Sequence, residues 1–531
     1  MPDCPNHGPA AELLAAGQET LVDLLDHAVA RYADRVAFVE VDHQITYREV
    51  GDQSLALAAT LQRVFGITPG DRVAIMLPNG IAFPIAAMAI LRCGGVIVNI
   101  NPLYTGRELR HQLDDAGAVA IIASDSVADT LGTVVGATKI RSLIWVGDAL
   151  PMSWPSAEGI CNLTWEQAVR SPADKPFERV AIRPDDLALL QYTGGTTGFA
   201  KGAMLRHRNV CANRIQICLA LGLGDGPVAH HVLTVLPLYH IFAFTVNFVT
   251  QFSIGACNIL VRSASDMDSV MEAFRRHPIS LMTGVNTLYA NILAHPAAGQ
   301  VEWRHLRFAI GGGSAILATT SARWRDLTGD HILEGLGMTE TSPVMTVNPP
   351  GQNSFSGTVG LPLPGTEIVV LDDTDKPCPP GVPGEICVRG PQLMAGYWGH
   401  EADGAGIITS EGFFRSGDIG SIDHMGYLTL VDRKKDMILV SGFNVYPNEV
   451  EAIASEFPGV RECACIGVPD ERSGEAVKLC LTVEDPANFD RDGLLMHCRS
   501  RLAAYKIPRY VVLLDALPKS AVGKILRRQL S

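Results

Sequence analysis

Apolar runs at residues 72–77, 96–100 and 119–123 alternate with helical patterns at 81–91 and 106–114. A strand apolar on both faces belongs inside a sheet, and strand–helix alternation implies parallel sheets with helices packed against them. The expected fold class is therefore α/β. With 531 residues the chain exceeds what one core can organise, so two or more domains are expected. The texture changes between about residues 358 and 431, where prolines and glycines such as Pro362, Pro364, Pro379, Gly381, Pro383 and Gly390 break short apolar runs. That pattern predicts a β-rich, barrel-like subdomain. After Asp432 comes the basic cluster Arg433-Lys434-Lys435, followed by a helix at about 448–457, strands near 463–468 and 476–482, and a helix near 490–505. The expected division is a large domain over 1–432, its β-rich part at about 355–431, and a small α/β domain over 433–531.

The densest chemical signal is Tyr192-Thr-Gly-Gly-Thr-Thr-Gly-Phe-Ala-Lys-Gly202, set between the apolar run 187–190 and Met204-Leu205. Gly194, Gly195, Gly198 and Gly202 let successive backbone N–H groups curl inward, and such a nest of amides binds anions. Thr193, Thr196 and Thr197 add hydroxyl donors, and Lys201 adds a mobile positive charge suited to phosphate. The Walker spacing is absent, because Gly202 follows Lys201 where a hydroxyl would be required. A nucleotide enzyme of another kind is implied.

Composition narrows the class. Apolar content of 47% with 19% charged residues describes a globular enzyme, and a net charge of −13 argues against general nucleic-acid binding. Residues 1–30 carry no Lys or Arg, so no secretory n-region is read there, and a cytoplasmic location is expected. The twelve cysteines show no zinc or disulfide spacing, and small buried thiols are the expectation. Residues 226–261 lack Asp, Glu, Lys and Arg, which raises the question of a membrane span. Pro237, His240, Asn247, Gln251 and Gly255 interrupt it, so a strand followed by a buried helix is expected instead.

The loop at 192–202, extended by Leu190-Gln and Ala203-Met-Leu, resembles the nucleotide loop of acyl-adenylate-forming enzymes, most of all the bacterial long-chain fatty-acid CoA ligases. Further motifs follow in that family's order. Leu236-Pro-Leu-Tyr-His240-Ile-Phe resembles the segment bordering the acyl and pantetheine tunnels, which implies tunnel roles for His240 and, as an aromatic gate, Phe244. Phe308-Ala-Ile-Gly-Gly-Gly-Ser314 matches the loop under adenine and the substrate carboxylate, which implies a tunnel place for Gly311 and ATP contacts for Gly312 and Gly313. In Glu334-Gly-Leu-Gly-Met-Thr-Glu340, the resemblance implies ATP contacts for Gly337, Met338 and Thr339, and Mg²⁺ held by Glu340 with Thr196. Leu336 departs from the pattern, since relatives usually place an aromatic residue there.

Phe413-Phe-Arg-Ser-Gly-Asp418 resembles the motif whose aspartate accepts from both ribose hydroxyls. Val431-Asp-Arg-Lys-Lys-Asp436 resembles the family hinge, with Asp432 as pivot and Arg433 near ribose or phosphate. Ser441-Gly442-Phe443 matches the loop that opens the pantetheine path, and Pro518-Lys-Ser-Ala-Val-Gly-Lys524 matches the terminal motif whose lysine bridges carboxylate and α-phosphate. The implied catalytic set is Lys524, Lys201, Glu340 and Thr339, with ATP, Mg²⁺ and CoA as the small molecules and a fatty acid as substrate. The C-terminal domain is then a mobile lid that serves adenylation and thioester formation in turn. Ligases that pass acyl-AMP to a carrier protein, aryl-acid CoA ligases and a non-catalytic membrane-associated fatty-acid carrier stand as alternatives. Peripheral contact with a membrane is compatible with the fatty-acid reading.

Overall fold

The computed structural model describes residues 18–147, 159–170, 176–193, 200–224, 230–351, 355–399, 406–441, 443–470, 472–520 and 523–530. Gly194, Gly195, Thr196, Thr197, Gly198 and Gly442 lie outside the described residues.

Two large sheets form the bulk of the chain. In a seven-stranded sheet, Arg72–Met76 lies between Val96–Asn99 and Ala120–Ser124, and every pairing is parallel except the last, Leu187–Thr193 with Lys201–Arg206. In a nine-stranded sheet, the strands from Leu333–Gly337 through Phe308–Gly311, Leu281–Gly284, His231–Thr234 and Cys257–Leu260 to Val36–Glu40 are parallel, with antiparallel pairs at both ends. Strands of Ala, Ile and Val with no exposed face, such as Ala120–Ser124, fit only the middle of a covered sheet. The helix Gly106–Ala116 shows how local signals fix its limits. Thr105 and Glu108 form a reciprocal capping box at its start, and Gly117 turns left-handed, φ 59°, at its end.

The uncharged segment resolves into strand His231–Thr234, a helical stretch over 241–253 wound as a π-helix at Ala243–Thr250, and strand Cys257–Leu260 beside the first. It lacks charge because all three pieces are buried. Phe244, Phe248 and Phe252 are fully buried, and Phe248 meets Phe38 with ring centroids 6.1 Å apart. Among the described residues no helix is long and apolar enough to cross a membrane.

The β-rich stretch is a four-stranded antiparallel sheet, Glu367–Leu371, Gly384–Arg389, Phe414–Ile422 and Leu428–Arg433 in spatial order. Among the described residues the first and last strands of this open sheet do not pair with each other. Its last strand is instead continued by residues 359–360, through Val359 N to Leu428 O at 2.8 Å and Leu428 N to Gly360 O at 2.9 Å. Beyond it, Ile438–Val440, Phe443–Val445, Val460–Asp470, Gly474–Val483 and Tyr510–Leu513 make a separate sheet with its own core around Val445, Cys465, Leu479 and Leu494. Helices Pro447–Ser455 and Arg491–Arg499 belong to this part. The second is shorter than its pattern predicts, because a 3-10 turn at Ala504–Lys506 follows it, and the strand Tyr510–Leu513 is additional.

Gly360 sits at the seam between the nine-stranded sheet and the open sheet. Its φ is 93°, and a Cβ there would lie 2.0 Å from the carbonyl carbon of Val347. Gly360→Ala is therefore expected to destabilise by about 1–3 kcal/mol from backbone strain alone, with the clash added. The thermal unfolding midpoint should fall by several degrees, and an unchanged midpoint would show that the seam relaxes freely.

Candidate active site

Strands Leu187–Thr193 and Lys201–Arg206 are the two arms of a hairpin, with Thr193 paired to Lys201 across its mouth. The glycine-threonine loop thus connects antiparallel strands. Gly202 serves a different purpose from the one its sequence suggests. It faces Tyr192, whose ring would be 3.2 Å from an added Cβ, and the Tyr192 hydroxyl donates to Asp115 at 2.5 Å.

Across from this hairpin, Leu333–Gly337 runs into a short turn, Thr339–Thr341. Gly337 is required by the packing, because a Cβ would stand 2.4 Å from the Pro343 carbonyl oxygen. The turn leaves Thr339 half-buried and Glu340 buried. Desolvation pushes the Glu340 carboxyl up, and the Tyr397 hydroxyl, donating to its Oε1 at 2.6 Å, opposes that shift. Tyr397 is the residue that sequence reasoning missed. Its segment braces both halves of the site: Met394 N donates to Glu340 O at 2.8 Å, Met204 N to Gly396 O at 2.9 Å, and Trp398 N to Gly202 O at 2.8 Å. The Lys201 ammonium stands 5.7 Å from the centre of the Tyr397 ring, so one side chain links the lysine to the glutamate. The available signal was an aromatic pair, Tyr397-Trp398, behind the glycine Gly396 in a stretch otherwise read as turns.

Gly311, Gly312 and Gly313 end strand Phe308–Gly311. A Cβ on Gly311 would meet Ile316 at 2.5 Å, and one on Gly312 would meet the Phe242 ring at 3.0 Å, so internal packing already demands glycine there. Leu336 is buried in the cluster with Met345, Val359, Phe414 and Leu428, which joins the nine-stranded sheet to the open sheet. Phe244 is fully buried and edge-on to Phe83 and Phe248, at 6.5 and 5.6 Å.

The antiparallel register of Phe414–Ile422 with Leu428–Arg433 sets Asp418 opposite Arg433, and Arg433 Nε lies 3.1 Å from Asp418 Oδ1. Asp418 is buried, and desolvation raises its carboxyl while Arg433 and then Lys524 pull it down. Lys524 arrives from the C-terminal domain on a tight turn, with Ser520 N donating to Lys524 O and Lys519 bridged to Ile525. Thr287 of the large domain donates to Gly523 O at 3.1 Å. Gly523 has φ 81°, and a Cβ would lie 3.0 Å from the Thr287 hydroxyl, so only glycine fits comfortably. Burial first, and Arg433 second, lower the Lys524 ammonium to about 8, against the pull of Asp418. His240 lies within reach of the same charge. Desolvation, then Lys524, depress it to about 4, so its ring is neutral near pH 7, with Nδ1 accepting from Phe242 N at 3.3 Å.

The structure therefore gathers Thr193, Lys201, Thr339, Glu340, Asp418, Arg433 and Lys524 from both parts of the chain around one region. Glu340, a buried carboxylate with no ion pair among the described residues, suits a divalent cation that takes its remaining ligands from phosphate and water. No group of three or more Asp, Glu, His or Cys that could hold a metal by itself occurs among the described residues.

Family comparison accounts for this arrangement. The model of the AMP-binding enzyme family matches residues 25–398, and that of the AMP-binding enzyme C-terminal domain matches residues 449–524. This chain belongs to the AMP-binding enzyme family. A long-chain-fatty-acid–CoA ligase of Escherichia coli O6:H1 is 43% identical over 96% of this chain and 94% of its own length. An anthranilate CoA ligase solved with anthranoyl-AMP superposes with a TM-score of 0.88 at 26% identity, over 97% of this chain and 96% of its own. The ATP-bound MatB of Rhodopseudomonas palustris superposes with a TM-score of 0.85 at 29% identity, over 96% and 98%.

Asp418, expected from its motif to accept from ribose hydroxyls, is a buried carboxylate beside Arg433. Asp418→Ala is expected to weaken AMP binding by about tenfold or more, since hydrogen bonds to a charged group contribute about 1.5–3 kcal/mol. Calorimetric titration with AMP measures this, and an unchanged affinity would remove Asp418 from the nucleotide contacts.

Proposed function

We propose that this enzyme uses ATP to convert a long- or medium-chain fatty acid to acyl-AMP and then transfers the acyl group to CoA, releasing AMP and pyrophosphate. The observation that carries the reading is the placement of Lys524. The C-terminal turn delivers its ammonium beside Asp418 and Arg433 and within reach of His240, against a large-domain site holding Lys201 and Glu340.

A carboxylate is a poor electrophile, so activation begins with its attack on the α-phosphate. Lys201 and Lys524 neutralise charge that builds on the phosphoryl oxygens, while Thr193 and Thr339 supply hydroxyl donors and Asp418 fixes the ribose. Mg²⁺, held by Glu340 and, at the loop, Thr196, would add neutralisation of the phosphates. His240 is kept neutral by burial and borders the acyl and thiol paths, where a neutral ring adds no charge to attract the carboxylate away from Lys524. Asp432 is the pivot between the domains, so the lid carries Lys524 away and brings the Gly442 loop to the thiol path. Identity of 43% with a fatty-acid ligase over nearly the full chain favours a fatty acid over the aryl acid of the anthranilate enzyme. Each buried methylene contributes about 0.8 kcal/mol, so tunnel depth sets the preferred length.

The deciding experiment supplies ATP, Mg²⁺ and acids from acetate to oleate, with benzoate and anthranilate, with and without CoA. Acyl-AMP and acyl-CoA are then followed by mass spectrometry. CoA-dependent thioester peaking at one fatty-acid length is expected, and aryl thioesters alone would overturn the fatty-acid assignment. Lys524→Ala should abolish acyl-AMP formation yet leave thioester formation from supplied acyl-AMP largely intact; equal loss in both would end that division of labour. The pH dependence follows from the Lys524 shift. Its ammonium is present below about 8 and lost as pH rises through that value, so kcat/KM for adenylation should fall on the alkaline side. A kcat/KM for adenylation that stays level through pH 8 would overturn this assignment.

A further inference from the structure

Three residues beyond Lys524, Arg527 enters a pocket of acids at the junction of the two domains. Its Nε and Nη2 grip Glu451 as a fork, at 3.0 and 2.8 Å, and Nη2 also donates to Asn448 Oδ1 at 2.6 Å. Nη1 reaches Asp432 Oδ1 at 3.2 Å and Asp436 Oδ2 at 3.5 Å. Glu451, Asn448 and Asp436 belong to the C-terminal side of the junction. Asp432 is different, because it lies in the last strand of the open sheet, paired with Ile419.

Asp432 is 1% exposed, and both its oxygens are engaged. Oδ1 accepts from Arg433 N at 2.8 Å and from Arg527, and Oδ2 accepts from Asn448 N at 2.8 Å. Asn448 Nδ2 also donates to Val431 O at 3.1 Å. The Glu451 fork stays within the C-terminal domain and would travel with it in any rotation about Asp432. The contact between Arg527 and Asp432 spans the pivot and depends on the angle between the domains. Arg527 follows directly on the base of the turn that carries Gly523 and Lys524, where Leu526 N donates to Pro518 O at 2.8 Å.

We propose that Arg527 is a positioning residue for the first half-reaction: its grip on Asp432 holds the C-terminal domain at the angle that seats Lys524, and breaking that grip accompanies the turn to thioester formation. Arg527 has protein groups as its partners: Glu451, Asn448, Asp432 and Asp436. It acts through Asp432 and the turn, and guanidinium suits the task because its planar fork holds Glu451 on one edge while another nitrogen reaches across the pivot. The inference rests on the two-step reading above.

The test compares Arg527→Gln, Arg527→Lys and Glu451→Gln with the unmodified enzyme in two assays on the same preparations: acyl-AMP formation from ATP and the preferred acid, and acyl-CoA formation from supplied acyl-AMP and CoA. For Arg527→Gln, adenylation is expected to fall at least tenfold more than thioester formation. Arg527→Lys, which keeps a charge toward Asp432, should recover part of that gap. Glu451→Gln breaks a contact internal to the C-terminal domain, so it should lower both rates by a similar factor. A merely structural Arg527 would behave like Glu451, with both halves reduced together in Arg527→Gln, and that result would overturn the proposal. If the unmodified enzyme forms no acyl-AMP from any acid, the two-step reading fails and the proposal with it, an outcome distinct from equal loss in the variant.

Discussion

The site depends on one antiparallel register. Pairing of Phe414–Ile422 with Leu428–Arg433 puts Asp418 opposite Arg433 and Ile419 opposite Asp432. Neighbouring residues in a strand point to opposite faces. Arg433 can therefore turn toward Asp418 and the nucleotide region, while Asp432 turns toward the C-terminal domain and meets Asn448 and Arg527. A slip of one residue would exchange the two faces, taking Arg433 from Asp418 and Asp432 from Asn448 and Arg527 together. The seam at Gly360 and the buried Leu428 hold that register against the large sheet.

The same economy explains what could be read from sequence. Apolar runs such as 119–123 pointed to parallel strands because no other environment suits them, and the helical pattern at 106–114 falls within the helix Gly106–Ala116. Asp418, Glu340 and Lys524 stood out because each sits in a motif whose glycine neighbours bring backbone close. Tyr397 did not stand out. Its importance arises from tertiary pairing of residues 395–398 with strand Lys201–Arg206, a contact between segments far apart in sequence and without a periodic signature. Several glycines were attributed to ligand approach, yet Gly202 makes room for Tyr192 and Gly312 for Phe242. The sequence marks where a side chain is forbidden and leaves open which neighbour forbids it.

Burial sets the electrostatics more than pairing does. Desolvation is the largest influence on Glu340, Asp418, Lys524 and Lys435, raising the two acids and lowering the two bases. Neighbours oppose each of these shifts: Tyr397 for Glu340, Arg433 for Asp418, Asp418 for Lys524 and Asp436 for Lys435. The site is thus assembled from charges that the fold only partly satisfies, although the chain as a whole is acidic. Ion pairs of this kind contribute little to stability, because desolvation offsets most of the attraction. Their value lies in what they are ready to meet.

Arg433 depresses both Lys524 and Lys435, so the basic side of the site carries mutual repulsion without ligand. A polyphosphate removes that repulsion and restores the ammonium of Lys524, which makes binding and protonation the same event. Positive groups fixed in advance need not reorganise as negative charge grows on the phosphoryl oxygens, and this preorganisation is how a water-poor site lowers a barrier that bulk water cannot. Departure of pyrophosphate returns the repulsion.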